Sequence, residues 1–250
     1  MKGKRTKTIS IKQTRENPTK NRRPRHKYLE LVKGLSFERW SDNSGGPLRY
    51  KRIFIDKLKK RPLLFLERRF KNNKNTPTIM VLGPGDGGYT ALLNIELKKI
   101  GVNSFIDVLG FSKSVDKEII SKGFIRKELS PEISKAKAFE HLNPVEDPKI
   151  TNFIKGNYDL VIAEKSVGTF TESRPYTLLQ TSLLLKKNGR AYIEVLHNND
   201  LKQVVLKYQR MLNAYNKKNN LDLKFKLEMM PDTLENVSTG KLSYIQITRD

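Results

Sequence analysis

Residues 79–82 form an apolar run that leads into a turn containing four glycines. An apolar pattern with helical spacing follows the turn and comprises Ala91, Leu92, Leu93, Ile95, Leu97 and Ile100. Strand, glycine turn and helix in this order predict the first unit of a βαβ sheet. Glycines permit positive φ angles, and the N–H groups at a helix start face a ligand. The pattern therefore predicts a ligand site at this turn.

Two basic segments with helical spacing precede this first strand. Residues 49–60 predict an amphipathic helix, with Pro62 as the residue that ends it. Its packing face consists of Ile53, Phe54, Lys57 and Leu58. Residues 63–70 predict a second helix. Its inward residues are Leu64, Phe65 and Leu66, and its outward residues are Arg68 and Arg69.

Beyond the glycine turn, helical and strand patterns alternate. The predicted strands are residues 104–111, 136–142, 190–196, 223–229 and 242–248. The predicted helices are residues 113–122, 171–187 and 200–217, the second of which is capped by residues 188–189. This alternation predicts an α/β domain.

Positive charge is concentrated in the first third of the chain. The 250 residues carry a formal net charge of +23. Residues 1–77 hold 24 Lys and Arg against 6 Asp and Glu, a net +18, whereas residues 78–250 hold 25 against 20, a net +5. We predict a basic arm at residues 1–27 that is disordered when free, a basic helical extension at 28–75 and the α/β domain at 76–250. The arm is expected to bind phosphates, with a purely solubilising tail as the alternative.

Several functional classes are excluded by what the sequence lacks. The chain has no cysteine, which excludes disulfides, cysteine zinc sites and a cysteine nucleophile. No apolar run approaches the length of a membrane span. We therefore predict a cytoplasmic protein with no membrane partner and no metal.

The glycine spacing fits two nucleotide-binding templates. Gly83, Gly85 and Gly88 satisfy G-x-G-x-x-G, the dinucleotide fingerprint, which favours an NAD-linked oxidoreductase. Gly83, Gly85 and Gly87 satisfy G-x-G-x-G, and with this spacing the chain resembles the class I S-adenosylmethionine-dependent methyltransferases. The sequence G-P-G-D-G-G at residues 83–88 is similar to the glycine motif of the spermidine synthase branch of the same superfold.

Two further motifs resemble the same family in the same order. Tyr-Asp-Leu-Val-Ile-Ala-Glu at residues 158–164 is similar to its fourth strand, and Leu-Leu-Leu-Lys-Lys-Asn-Gly at 183–189 is similar to the turn before its fifth. A closing antiparallel strand pair is also typical of it. The resemblance covers residues 76–250 and implies a Rossmann-like sheet of parallel strands that ends in an antiparallel pair.

The resemblance implies S-adenosylmethionine as the cofactor. Its amino-acid end would be cradled by Gly83, Pro84, Gly85, Asp86 and Gly87. Asp86 would accept from the cofactor's ammonium group or, alternatively, cap the following helix. Ser112 stands where the family's ribose-binding acid is expected, and Asp107 is the alternative acid. Val81 stands where a further acid usually precedes the first glycine.

The resemblance also implies where catalysis takes place. Glu164, at the end of the fourth strand, is the candidate for orienting a nitrogen nucleophile or accepting its proton, and it is also a candidate cofactor contact. Lys165 is the second catalytic candidate, and a surface ion pair between the two is the alternative. Glu194 stands where ribose 2′-O enzymes keep a lysine, which disfavours that chemistry. The candidate substrate-binding residues are Arg49, Lys51, Arg52, Lys59, Lys60, Arg61, Arg68 and Arg69.

Together, charge and resemblance favour a methyltransferase that acts on RNA, with ribosomal RNA as one candidate, docked by the basic amino-terminal part. An inactive methyltransferase-like RNA-binding or ribosome-associated factor is the first alternative, because two expected acids are missing. An aminopropyltransferase of the spermidine synthase type is the second alternative.

Overall fold

The computed structural model describes residues 49–110, 115, 117–129, 155–168, 174–197, 201–230, 235–237 and 240–250. The predicted arm at residues 1–27, the predicted strand at residues 136–142 and Ser112 lie outside these residues. Within the described ranges, no helix combines the length and apolar character needed to cross a membrane.

Two helical segments precede the sheet. Helix α1 spans Lys51–Lys57 and is wound as a π-helix, and helix α2 spans Arg61–Phe70. The break between them falls at Lys59 and Lys60, whose φ angles are 45° and 59°. The prediction that Pro62 ends the first helix is therefore wrong. Pro62 lies in the first turn of α2, where its missing N–H costs no hydrogen bond.

The inward face of α2 also differs from the prediction. Leu66 is buried as expected, but Leu64 is 41% exposed. Leu63 and Phe70 are also buried, as is Pro62 in the first turn. Their spacing follows the 3.6-residue helical period, which carries Leu64 away from the sheet.

The remaining chain alternates between strands and helices. The first elements are β1 (Thr78–Leu82), α3 (Gly88–Lys99), β2 (Phe105–Leu109), α4 (Lys117–Ser121) and β3 (Lys127–Glu128). The next are β4 (Tyr158–Gly168), α5 (Arg174–Leu183), β5 (Leu185–His197) and α6 (Leu201–Asn219). The last are β6 (Phe225–Met229), β7 (Glu235–Val237) and β8 (Gly240–Arg249). The short strands β3 and β7 were not predicted.

The strands form one sheet in the order β3-β2-β1-β4-β5-β8-β6, with β7 paired to β8. Strands β1 to β5 are parallel to one another, whereas β8 runs antiparallel to β5 and to β6. This arrangement confirms the predicted parallel sheet with a carboxyl-terminal antiparallel pair. The strand order reverses between β1 and β4, so the carboxyl ends of these strands border the crevice where such sheets bind ligands.

Alternate residues of β5 face opposite sides of the sheet. Ala191 and Ile193 belong to the core that α5 and α6 cover, together with Tyr208 of α6. Arg190 and Glu194 face the other side, which α1 and α2 contact. The amino-terminal helices therefore pack on one face of the sheet, and α5 and α6 pack on the other.

Helix α5 ends at Leu183, so the predicted helix at residues 171–187 is too long at its carboxyl end. The Tyr158 N–H donates to the Leu184 carbonyl at 3.0 Å, because pairing with β4 replaces the helical hydrogen bonds at this point. The predicted cap at residues 188–189 consequently lies within β5.

Candidate functional site

Residues 83–88 form a loop at the carboxyl end of β1, called the glycine loop below. The φ angles of Gly83, Gly85 and Gly87 are 70°, 65° and 91°. The Gly83 N–H donates to the carbonyl of Leu109, the last residue of β2, at 2.9 Å. This hydrogen bond fixes the start of the loop against β2, on the side of β1 away from β4.

Gly87 occupies a position that has no room for a side chain. A Cβ atom there would lie 2.7 Å from Cγ1 of Val115 and 3.2 Å from Cδ1 of Ile125. Its positive φ is also unfavourable for other residues. Close packing as well as backbone conformation therefore requires glycine where the loop enters α3.

Helix α3 begins directly at the end of the glycine loop. The Ala91 N–H donates to the Gly87 carbonyl at 2.9 Å, and the Gly88 N–H donates to Oδ1 of Asp86 at 3.0 Å. Asp86 thus accepts from the first N–H of α3, but the N-cap residue is Gly87, which has no side-chain cap hydrogen bond. Both predicted roles of Asp86 stay predictions. The amino end of α3 carries partial positive charge, which favours an anionic ligand group beside the loop.

Arg49 lies at the glycine loop. Its Nη2 donates to the Gly83 carbonyl at 2.9 Å, and its guanidinium carbon lies 4.3 Å from the centroid of the Tyr89 ring. Phe54 of α1 contacts the same ring, at 6.5 Å between centroids. A residue predicted to bind substrate is therefore placed where it adds positive charge to the candidate cofactor site.

Asp107 is buried in the middle of β2. Arg126 Nε donates to Asp107 Oδ1 at 2.7 Å, and the Tyr158 hydroxyl donates to Oδ2 at 2.9 Å. Hydrogen bonding to Asp107 raises the pKa of Arg126, and burial raises the pKa of Tyr158. The carboxylate of Asp107 thus binds one buried and one exposed side chain of this protein, and its predicted contact with the ribose stays a prediction.

Strand β4 brings the catalytic candidates to the same edge as the glycine loop. Leu82 pairs with Ala163, so the backbone of Glu164 continues beyond the level at which β1 ends. Glu164 and Lys165 lie within β4, but their side chains are outside the described part of the structure. The backbone position agrees with a role next to the ligand, and the role itself stays a prediction.

The predicted substrate-binding residues fall into separate places. Lys51, Lys59 and Lys60 are exposed and Arg52 is half-buried. Arg61, Arg68 and Arg69 lie together on α2 and line a groove of about 480 Å³ that does not include Arg49. All eight residues were predicted to bind substrate. The structure places Arg49 at the glycine loop, Lys51 and Arg52 on α1, Lys59 and Lys60 between the helices, and the other three on α2.

Two residues form contacts that were not predicted from the sequence. Arg190 of β5 lines the α2 groove beside the three predicted arginines. Its position directly after Gly189, at the start of a predicted strand, gave no sign of this contact. Glu194, considered only for ribose chemistry, forms a buried ion pair with Lys57 at 2.8 Å. Both contacts link residues more than 100 positions apart, which local patterns do not reveal.

The described residues fit the amino-acid end of S-adenosylmethionine. Arg49 and the start of α3 would supply positive charge for its carboxylate, and Asp86 would supply a carboxylate for its ammonium group. The glycine loop offers backbone without side chains at the point of closest approach. For the adenosine end, Asp107 is held by its two internal partners, and Ser112 lies outside the described residues.

No family model matches the sequence, and no curated protein matches it significantly. Among solved structures, the DszA carbon methyltransferase superposes with a TM-score of 0.50 at 15% identity, over 76% of this chain and 52% of its own. The chain thus spans about half the length of that protein. At this identity the similarity shows the fold alone, which is the class I methyltransferase fold.

Two further neighbours were solved with a cofactor or its product. A Burkholderia thailandensis 1,6-didemethyltoxoflavin methyltransferase with S-adenosylhomocysteine gives a TM-score of 0.42 at 13% identity and covers 80% of both chains. A T. thermophilus 16S rRNA methyltransferase with AdoMet and guanosine gives 0.38 at 14% identity, over 76% of this chain and 39% of its own.

Proposed function

We propose that this chain is an S-adenosylmethionine-dependent methyltransferase that acts on RNA. The observation that carries the proposal is the glycine loop, which lies at the switch point of a class I methyltransferase sheet. Where the loop enters α3, position 87 has no room for a side chain. A zwitterionic amino-acid group needs positive and negative charge beside it. The glycine loop would supply both, with positive charge from Arg49 and the start of α3 and negative charge from Asp86.

When bound, S-adenosylmethionine supplies an electrophilic methyl group for in-line displacement. The main task of the protein is then positioning, which lowers the barrier without unusual side-chain chemistry. The glycine loop and Arg49 would hold the amino-acid end of the cofactor. In this proposal Glu164, at the carboxyl end of β4, orients the substrate nucleophile or accepts its proton, with Lys165 beside it.

The charge distribution supports RNA as the substrate. Residues 1–77 carry a net +18, and the described part of this segment places Lys51, Lys59 and Lys60 on the surface. Phosphate contacts from such a segment release counterions, so RNA affinity should fall steeply as salt rises. In this proposal residues 1–27 act as an additional phosphate-binding arm, and residues 28–75 carry the docking surface.

Calorimetric titration of the purified protein tests the cofactor assignment. We expect S-adenosylmethionine to bind with a micromolar Kd, and NAD and decarboxylated S-adenosylmethionine to bind much more weakly. Gly85→Arg should abolish binding. The control Gly101→Arg has a similar positive φ, 79°, but lies at the other end of α3, about 18 Å away. A labelled-methyl assay on total RNA then tests the reaction, and equal binding of NAD would contradict the assignment.

A second candidate function is an inactive RNA-binding or ribosome-associated factor with the same fold. The internal pairing of Asp107 with Arg126 and Tyr158 favours it, because this acid was the alternative ribose ligand. An aminopropyltransferase is a further candidate on sequence grounds alone. RNA binding without any S-adenosylmethionine binding would support the inactive factor, whereas preferential binding of decarboxylated S-adenosylmethionine would support the aminopropyltransferase.

A further inference from the structure

A groove rich in arginine lies between α2 and strands β5 and β8. We call it the arginine groove. It has a volume of about 480 Å³ and is lined by Arg61, Leu64, Phe65, Arg68, Arg69, Arg190 and Gln246. Four guanidinium groups thus border one depression, and no carboxylate is among the residues that line it.

Aromatic and backbone contacts hold two of these arginines in place. The guanidinium carbon of Arg190 lies 4.6 Å from the centroid of the Phe65 ring, and that of Arg69 lies 5.9 Å from it. Arg69 Nη1 also donates to the Asn188 carbonyl at 2.6 Å. Stacking and carbonyl contacts fix a guanidinium without neutralising it. The groove therefore keeps its positive charge.

Carboxylates near the groove have other cationic partners. Glu67 of α2 pairs with Lys71, and Glu228 of β6 pairs with Lys226 while it also accepts from Gln246 at 3.5 Å. Among the described residues, none of the four arginines forms an ion pair with a carboxylate. Like charges gathered without counter-charges repel one another, so the groove favours an anionic ligand.

We propose that the arginine groove binds the phosphodiester backbone of RNA. The planar donors of arginine match phosphate oxygens in a bidentate arrangement, and several arginines along one groove match a ligand with repeated phosphates. The assignment rests on the proposed function for the choice of RNA among polyanions. Anion binding by the groove follows from its side chains alone.

The position of the groove bears on the length of the RNA. Arg190 pairs with Leu160 of β4, which pairs with Ile79 of β1. Ile79 precedes Gly83 by four residues, so the groove lies about 13 Å behind the glycine loop along the strand direction. A mononucleotide cannot reach both places. The arginine groove is thus a docking site for a substrate segment several nucleotides away from the reacting one.

Fluorescence anisotropy with a labelled single-stranded RNA of about 20 nucleotides tests the proposal on the full chain. The variant is Arg61→Gln/Arg68→Gln, which removes two half-buried or exposed charges. The control is Lys98→Gln/Lys218→Gln, which removes the same charge from exposed positions on α3 and α6. Circular dichroism confirms that both proteins fold.

We expect the arginine variant to raise the Kd about 10-fold or more, and to lower the slope of log affinity against log salt by about 1.4, or 0.7 for each lost phosphate contact. The control should change the Kd less than about 2-fold, because its lysines lie outside the groove. A trinucleotide should bind weakly to the arginine variant and to the lysine control. S-adenosylmethionine affinity should be equal in all proteins, which separates this proposal from the cofactor assignment.

Three outcomes would overturn the proposal. Equal losses in the two variants would mean that RNA responds only to net charge, and unchanged binding in the arginine variant would mean that RNA docks elsewhere. A polyglutamate peptide run beside the RNA tests the ligand class. If the peptide binds as tightly as RNA and loses as much affinity in the arginine variant, the groove binds acidic chains in general and the RNA assignment fails.

Discussion

Lys57 donates a 2.8 Å hydrogen bond to Glu194 in an ion pair whose side chains are 5% and 0% exposed. Lys57 is the last residue of α1, and Glu194 lies in β5, so the pair attaches the amino-terminal helices to the sheet. Tyr244, opposite Glu194 on β8, lies 5.9 Å from the ammonium group. Two charges removed from water are tolerated only together. The placement of α1, and of Arg49 just before it, thus depends on this pair.

We expect Lys57→Met to lower the free energy of unfolding by about 3–5 kcal/mol, because it leaves the Glu194 carboxylate buried without its ammonium partner. The double variant Lys57→Met/Glu194→Leu should recover most of this loss. Urea unfolding measures both. Lys71→Met removes the exposed partner of Glu67 and is the control, with an expected cost below about 1 kcal/mol. Strictly additive costs in the double variant would contradict the coupling.

The sequence predicted best those elements that depend on neighbouring residues. The apolar run at β1, the glycine turn and the helix after it appear where they were expected, because a strand buried on both faces and a glycine loop are both local signals. Lys57 was placed correctly on the packing face of α1, since its spacing matches that of Ile53 and Phe54. Its burial was thus predictable, but its partner 137 residues away was not.

Features that depend on distant contacts were missed. The end of α5 is set by hydrogen bonds from Gly156 to Leu183 and from Tyr158 to Leu184, which no helical pattern predicts. Arg49 was expected on an RNA-binding surface, but a contact with Gly83 across 34 residues places it at the glycine loop. The backbone of the candidate site was therefore predictable from the sequence. The positions of the charged side chains around it became known only from the tertiary structure.

Tyr158→Phe should change how stability depends on pH. Burial and the neighbouring Asp107 carboxylate raise the pKa of Tyr158 above its usual value of about 10. Above that pH the unfolded chain loses a proton that the folded protein retains, so this contribution to stability is present below about pH 10 and is lost as pH rises further. We expect the variant to lose about 1 kcal/mol near neutral pH, through the missing hydrogen bond to Asp107.

The same variant should reduce the alkaline loss of stability by about 1.4 kcal/mol per pH unit above pH 10 or so. Urea unfolding between neutral and alkaline pH measures the slope. Tyr208→Phe provides a parallel test, because burial also raises the pKa of Tyr208, whose hydroxyl donates to Ser182 at 3.0 Å. An unchanged alkaline slope in both variants would show that these hydroxyls do not titrate with unfolding.

Gly87→Ala should destabilise the protein more than the matched substitution Gly123→Ala. Both glycines have positive φ angles, 91° and 71°, so both variants incur a conformational cost of about 1–2 kcal/mol. Only at position 87 would the added Cβ overlap Val115, at 2.7 Å, whereas nothing lies within 4 Å at position 123. We expect an extra loss of about 1–3 kcal/mol at position 87, measured by thermal or urea unfolding. Equal losses would mean that the loop shifts without cost.

Arg49 should control the order of the glycine loop. Its guanidinium donates to the Gly83 carbonyl at 2.9 Å and lies 4.3 Å from the centre of the Tyr89 ring. A charge-assisted hydrogen bond contributes about 1.5–3 kcal/mol. We therefore expect Arg49→Ala to speed amide exchange at residues 83–88 in the ligand-free protein. It should also weaken S-adenosylmethionine binding at least about 10-fold, since it removes a positive charge from the carboxylate end of the proposed site.

Two further variants separate the charge of Arg49 from its packing. Arg49→Lys keeps the charge but loses the planar donors, so it should restore only part of the affinity. Tyr89→Phe keeps the ring and removes a hydroxyl that lies 3.5 Å from the Gly83 carbonyl, so it should change affinity less than about 2-fold. Faster exchange in Arg49→Ala with unchanged affinity would make Arg49 a structural residue only. Unchanged exchange and affinity would show that the contact with Gly83 does not order the loop.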